Sequence, residues 1–168
     1  MVFKEIDFKS LSINPFVMLN DEWGLLSAGD ASKFNTMTIA WGSFGVMWSK
    51  PVLTVVVRPQ RYTYEFVESL DLFTVSFYPE KYKKALTLLG TKSGRDCDKI
   101  AESGLTPLFL DGTVAFEEAY TVFVCKKLHG GQQLDASKFV DLSLDSEIYP
   151  DKDYHYFYIG EVVKVLEK

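Results

Sequence analysis

Val52-Leu53-Thr54-Val55-Val56-Val57, set between Pro51 and Pro59, is the strongest extended segment of the chain. A largely β-branched run of this kind, bounded by proline on both sides, predicts a strand buried on both faces. Upstream of it, residues 23–29 (WGLLSAG) and 35–41 (NTMTIAW) read as shorter strands with a polar loop between them. Residues 42–45 (GSFG) predict a turn that makes a hairpin with residues 46–48. Downstream, Leu72–Phe77 alternates: Phe73, Val75 and Phe77 point one way, Thr74 and Ser76 the other. That period of two predicts a half-buried strand.

Helices interrupt these strands. Tyr62–Ser69 starts beside Arg61, and Tyr62, Phe66 and Leu70 recur at four-residue spacing on one face. Residues 80–89 (EKYKKALTLL) are strong helix formers ending at Gly90, a C-cap signal, and residues 98–103 before Gly104 predict a third, short helix. Residues 113–118, 120–128 and 154–166 are again extended, and the polar, acidic stretch 135–153 reads as a loop or excursion. Strands cluster with few helices and no regular βαβ alternation. The expected fold is therefore mostly β: a closed antiparallel barrel with a few helical insertions, residues 1–168 forming one domain.

Composition narrows the function. The chain has 168 residues, 47% hydrophobic and 24% charged, enough to bury a core and not the balance of a disordered segment. Aromatics reach 15%, which fits rings lining a pocket or subunit contact and equally fits the preference of aromatics for sheet. A net charge of −5 argues against nucleic acid but leaves room for one local phosphate site. Residues 1–11 alternate charged and apolar side chains without an export signal, and no apolar run approaches the ~20 residues of a membrane span. Cys97 and Cys125, far apart and outside any CxxC motif, are expected as reduced thiols in a cytoplasm.

Several chemistries lack their residues. His129 and His155 are the two histidines, and neither has a partner at ligand spacing, so no metal site is expected. There is no GxSxG elbow and no GxGxxG fingerprint, and residues 90–93 (GTKS) lack the residue order of a phosphate loop. Glu117 and Glu118 would face opposite sides of a strand, which makes them poor candidates for a shared acid–base pair and fits a solvated surface role.

Four segments carry more information. Asn35-Thr36-Met37-Thr38, leading to Trp41, offers amide and hydroxyl groups for the polar edge of a flat heterocycle and an apolar wall for its other end. Arg58-Pro59-Gln60-Arg61-Tyr62-Thr63 gathers two arginines and a hydroxyl where a strand gives way to a helix N-terminus. It reads either as a phosphate site or as a solvated loop with Thr63 as N-cap. Residues 92–99 (KSGRDCDK) form a charged, glycine-centred loop able to bring Ser93 or Arg95 over a ligand, or simply an exposed connection. His155, opening the aromatic strand HYFYIGEV, is the one group here expected to titrate near neutral pH.

In this order the segments resemble the flavin reductase-like family, whose fold is the FMN-binding split β-barrel. The resemblance runs from about residue 14 to residue 163. It rests on residues 24–29 (GLLSAG), Asn35-Thr36-Met37-Thr38 with Trp41, Pro51 before the Val-rich strand, and Arg58 through Thr63. It continues through residues 92–96 (KSGRD) with Asp98-Lys99, residues 104–107 (GLTP), and His155 ahead of Ile159-Gly160-Glu161-Val162. The resemblance implies a homodimer with one FMN per subunit near the interface, NADH or NADPH as electron donor, and a redox partner protein or oxygenase as acceptor. By the matching segments, Asn35, Met37 and Thr38, with Trp41, would lie against the isoalloxazine. Arg58, Arg61 and Thr63 would serve the phosphate, Ser93 and Arg95 would cover it, and His155 would be the catalytic residue that helps place nicotinamide. Tyr156, where many relatives carry a small or acidic residue, and the longer stretch 130–153 depart from the pattern. The implied activity is flavin reduction by NAD(P)H. The alternatives are a flavoredoxin-like FMN carrier that does not react with nicotinamide, and a barrel with some other apolar ligand or only an interaction role.

Overall fold

A computed structural model describes residues 2–168. Seven strands form one continuous antiparallel ladder: β3 (Phe34–Ile39), β2 (Gly24–Gly29), β6 (Leu72–Phe77), β9 (Thr121–Gln133), β10 (Tyr156–Glu167), β5 (Lys50–Val57) and β4 (Gly42–Met47). An eighth, β1 (Lys4–Ile6), pairs with the far end of β10, Lys4 opposite Glu167. β7 (Pro107–Leu110) and β8 (Thr113–Phe116) make a separate hairpin. The helices are α1 (Pro15–Val17), α2 (Tyr62–Ser69), α3 (Lys83–Thr91), α4 (Lys99–Ser103) and α5 (Leu142–Ile148). None is long and apolar enough to cross a membrane.

The sheet is buried on both sides at its centre, which explains one departure from the sequence expectation. Along β2 and β9, neighbours alternate between two cores: Leu26 and Phe123 pack with Val75 and α2, while Leu25 and Val122 pack with Leu86 and Leu89 of α3 and with Phe116. β6 lies between them, so its polar face is covered rather than solvated. Thr74 donates to the Val114 carbonyl and Ser76 bonds the Tyr78 hydroxyl at 2.8 Å, satisfying groups that burial would otherwise penalise.

The Val-rich strand shows the converse. Leu53, Val55 and Val57 are fully buried in the inner core, whereas Thr54 and Val56 on the other face are only half buried. That face opens onto a cleft. The turn beside this strand also moves: residues 42–47 are strand β4, and the hairpin turns at Trp48 and Ser49, with φ of 51° and 57°. Positive φ at both central residues is the requirement of a two-residue hairpin turn, usually met by Asn and Gly. Trp and Ser give no such signal in the sequence. Gly90 likewise lies inside α3, which runs on to Thr91.

The expected closure of the barrel is not present. β3 and β4 stand at opposite ends of the ladder and make no pairing with each other, although only Ala40 and Trp41 separate them in the chain. After β3 the chain swings across to pair β4 with β5, so the two edge strands diverge. In the opening they leave, Met37, Thr38, Trp41, Arg58 and His155 come together in one cleft, while Asn35 and Arg95 line a separate pocket with Tyr62 and Lys99.

Candidate functional site

The cleft at this opening is lined by Met37, Thr38, Ile39, Ala40, Trp41, Val56, Arg58 and His155 and encloses about 270 Å³. An adjoining cavity of about 360 Å³ shares Trp41, Val56 and His155 and adds Thr54, Leu134, Tyr149 and Phe157. β3 supplies one wall in an alternating fashion. Met37 and Ile39 belong to the inner core, while Thr38 points the other way and donates to the Leu86 carbonyl of α3. Asn35 and Thr38, expected together on one face of the strand, are therefore on opposite faces, since residues of odd separation in a strand diverge.

Asn35 is buried and donates from Nδ2 to Thr63 Oγ1 at 2.9 Å. This ties β3 to the first turn of α2. Thr63 lies inside the helix, and Arg61 takes the N-cap position without any side-chain cap, leaving the leading N–H groups of α2 open to an anion. Gly94 fits over the same joint: a Cβ there would sit 2.5 Å from Asn35 Oδ1. The 92–98 loop is thus seated against α2. Ser93 accepts from the Arg95 amide at 3.2 Å, and Arg95 donates to the Gln60 carbonyl at 3.0 Å, pairs with Glu65 and lies over the Tyr62 ring at 4.7 Å.

The two arginines behave differently. Arg58 is held within the chain: it pairs with Asp153 at 2.5 Å, donates to the Ile148 carbonyl at 2.8 Å and lies 5.1 Å over the Tyr149 ring. Arg61 is half buried, and among the described residues no carboxylate pairs with it. Burial, and then the charge of Arg58, lower its affinity for a proton. An arginine stays charged through such a shift, so a cation sits here without its counter-ion.

A third cation completes the cluster. Lys99, only 2% exposed, donates from Nζ to the carbonyls of Leu89 and Lys92 at 2.9 and 3.1 Å. Burial, and then Arg61, pull its pKa down to about 8. In the sequence Lys99 closes the charged 92–99 loop, opens the short helix 98–103 and belongs to the matching Asp98-Lys99 pair, with no site role attached to it. One signal was available: a lysine immediately after the N-cap Asp98 of α4 opposes the helix dipole, which implies that something else holds it.

His155 is buried, its ring 5.2 Å from that of Trp41, and its Nδ1 is 2.8 Å from the Tyr149 hydroxyl. Burial, and then Arg58, push its pKa down to about 4, against a smaller upward pull from Asp153. It is therefore neutral at pH 7, not a group that titrates there. Tyr149 and Asp153 both come from the stretch 135–153, expected as a loop or excursion and found to carry α5. That segment is pinned by Arg58, by Gln60 and by a bond from Gln133 Nε2 to the Tyr154 carbonyl at 3.0 Å. Nothing in its polar, aperiodic sequence marked those contacts.

The family described as flavin reductase like domain matches residues 22–168. The chain belongs to that family. None of the curated proteins matches it. Among solved structures, the flavin reductase-like chain resembles an FMN-binding domain of a flavin reductases-like enzyme from Shewanella baltica OS155. That match has 18% identity, a TM-score of 0.70, and covers 99% of this chain and 77% of that one. A flavoredoxin from Methanosarcina acetivorans matches at 23% identity and TM-score 0.67, over 95% and 75% of the two chains. An NADH:FAD oxidoreductase from Streptomyces globisporus C-1027, in complex with NAD and FAD fragments, matches at 16% and 0.64, over 88% and 74%. At these identities the likeness is one of fold.

Proposed function

We propose that this flavin reductase-like chain binds FMN in the cleft between β3 and β5 and reduces it with NADH or NADPH. The observation that carries the reading is Arg61: a half-buried guanidinium without a carboxylate, between Arg58 and Lys99 and at the uncapped N-terminus of α2. An anion with several oxygens would satisfy the charge and the free N–H groups together. A flat ring system fits the cleft itself, whose lining reaches Arg58 but not Arg61 and where Met37, Ala40, Trp41 and Val56 offer an apolar wall. In this assignment Arg61, with the α2 amides and Lys99, holds the phosphate. Thr63 and Asn35 brace that corner, and the loop of Ser93 and Arg95 closes over it.

Bound FMN would supply the redox chemistry as a hydride acceptor. The chain's part is orientation and shielding. His155, neutral at working pH, serves as a hydrogen-bonding group rather than a proton store, and Trp41 packs beside it. We assign the subunit contact to the exposed strip of Trp41, Val46, Met47 and Trp48 with Phe16, which places Trp41 at the junction of cleft and partner copy. This supports a homodimer in which the cofactor lies near the interface. A redox partner protein, or an oxygenase supplied with reduced flavin, would receive the electrons.

One observation favours a second reading, an FMN carrier indifferent to nicotinamide: Tyr149 and Asp153 of the excursion crowd the His155 side of the cleft. An absorbance spectrum of the purified protein with and without FMN, followed by anaerobic NADH or NADPH, decides. Flavin bleaching on a nicotinamide time course supports the reductase. Bound flavin that stays yellow selects the carrier, and a colourless protein with no affinity for FMN overturns both.

A further inference from the structure

Tyr149 is the least expected neighbour of the site, because it arrives from the excursion rather than from the sheet. Its hydroxyl lies 2.8 Å from His155 Nδ1, and both side chains are buried. Two arrangements satisfy that distance: the phenol donates to Nδ1, or Nδ1–H donates to the phenol. In the second, the phenolic hydrogen needs another acceptor, and no side-chain hydrogen bond from Tyr149 to a further group is formed among the described residues. The phenol therefore donates to Nδ1, the one acceptor within its reach among the described residues. Arg58 over the ring face and the Ile148 carbonyl on Arg58 hold the phenol in place.

The consequence falls on the other ring nitrogen. With Nδ1 occupied as an acceptor, the proton of a neutral imidazole is on Nε2. No protein group bonds Nε2 among the described residues, and the ring lines both the cleft and the adjoining 360 Å³ cavity. Three flat rings, Trp41, Phe157 and Tyr149, line the cavity, with Val56 and Leu134 and the hydroxyl-bearing Ser43 and Thr54. We propose that Tyr149 is a positioning residue that fixes His155 as an Nε2–H donor, so that the cavity selects a flat ligand carrying a carbonyl oxygen. The carbonyl belongs either to the carboxamide of a nicotinamide nucleotide or to an aromatic carbonyl compound acting as acceptor. The choice of ligand rests on the flavin reading given above; the tautomer does not.

The test separates the two. Nitrogen-15 NMR of histidine-labelled protein at pH 7, with His155 assigned by its loss in His155→Gln, shows His155 as the pure Nε2–H tautomer. Tyr149→Phe turns it into a mixture. With FMN added, nicotinamide mononucleotide or benzaldehyde shifts the Nε2–H resonance in the wild type. Response to the first alone identifies the electron donor's carboxamide, and response to the second alone an acceptor's carbonyl. In turnover, Tyr149→Phe raises KM for the responding ligand about tenfold, as loss of one well-placed hydrogen bond implies, with kcat nearly unchanged and FMN affinity intact. A wild-type His155 protonated on Nδ1, or a tautomer unmoved by Tyr149→Phe, overturns the positioning role. Resonances indifferent to both probes overturn the ligand assignment. Failure to bind FMN would instead sink the flavin reading and leave the tautomer result standing.

Discussion

Asp153 holds Arg58 at 2.5 Å, so one of two arginines that lie three residues apart is neutralised from within the chain while the other is not. The two should therefore respond differently to removal. Arg61→Ala is expected to weaken FMN by roughly 10–100-fold, the loss of a charge-assisted contact, while riboflavin binding barely changes. Arg58→Ala should act mainly on stability, costing about 1–3 kcal/mol, because it leaves the Asp153 carboxylate, whose Oδ1 already lacks a partner, with less compensation. Fluorescence titration with both flavins and urea denaturation check the pair. Equal loss of FMN and riboflavin in Arg61→Ala would contradict the phosphate assignment.

Lys99 gives the phosphate corner a pH signature. Its pKa near 8 without ligand rises when an anion is bound, so FMN affinity should fall as pH is raised above about 8, where the free protein loses the proton. Riboflavin should show no such fall. Lys99→Met removes the dependence and lowers FMN affinity at pH 7. Binding isotherms between pH 7 and 10 measure it, and an unchanged slope in the variant excludes Lys99 from the corner.

His155 should leave a mark on stability at the acid side. Its folded pKa of about 4 lies below the 6.5 of a free histidine, so between these values the unfolded chain binds more protons. The contribution is complete above pH 6.5 and is lost as the pH falls toward 4. Denaturation midpoints taken through this window should decline, and His155→Gln should flatten the decline. An NMR titration showing His155 protonating near 6.5 would remove the basis for this expectation.

Gly160 tests the fold rather than the site. It lies in β10 where a Cβ would come 2.6 Å from the Phe73 ring and 2.8 Å from Cys125 Cβ, between fully buried neighbours. Gly160→Ala should cost about 1–3 kcal/mol as overpacking. Thermal denaturation with unchanged far-UV dichroism is the measurement, and a neutral effect would mean that β9 and β6 yield more readily than their packing implies.

Much of the architecture could be read before the structure. Tyr62–Ser69 is helical with the expected bounds because spacing of its apolar residues and the strand end before it agree, and β2, β3, β5 and β6 fall within a residue or two of their predicted places. What escaped did so for identifiable reasons. Burial of the polar face of β6 depends on the β7–β8 hairpin and α3, which are distant in sequence. The turn at Trp48 and Ser49 uses residues that seldom adopt positive φ. The open edge between β3 and β4 follows from pairing order, which periodicity does not encode. At the site, Arg58, Arg61, Thr63 and His155 could be picked by type and position, but their partners could not. Asp153 and Tyr149 reach Arg58 and His155 across 95 and 6 residues respectively, through a segment with no pattern.

The attachment of β1 rests on three residue pairs with β10: Lys4 opposite Glu167, Glu5 opposite Leu166 and Ile6 opposite Val165. So short a seam is the part of the sheet most easily peeled away, and hydrogen exchange should run faster along it than at the β9–β10 centre.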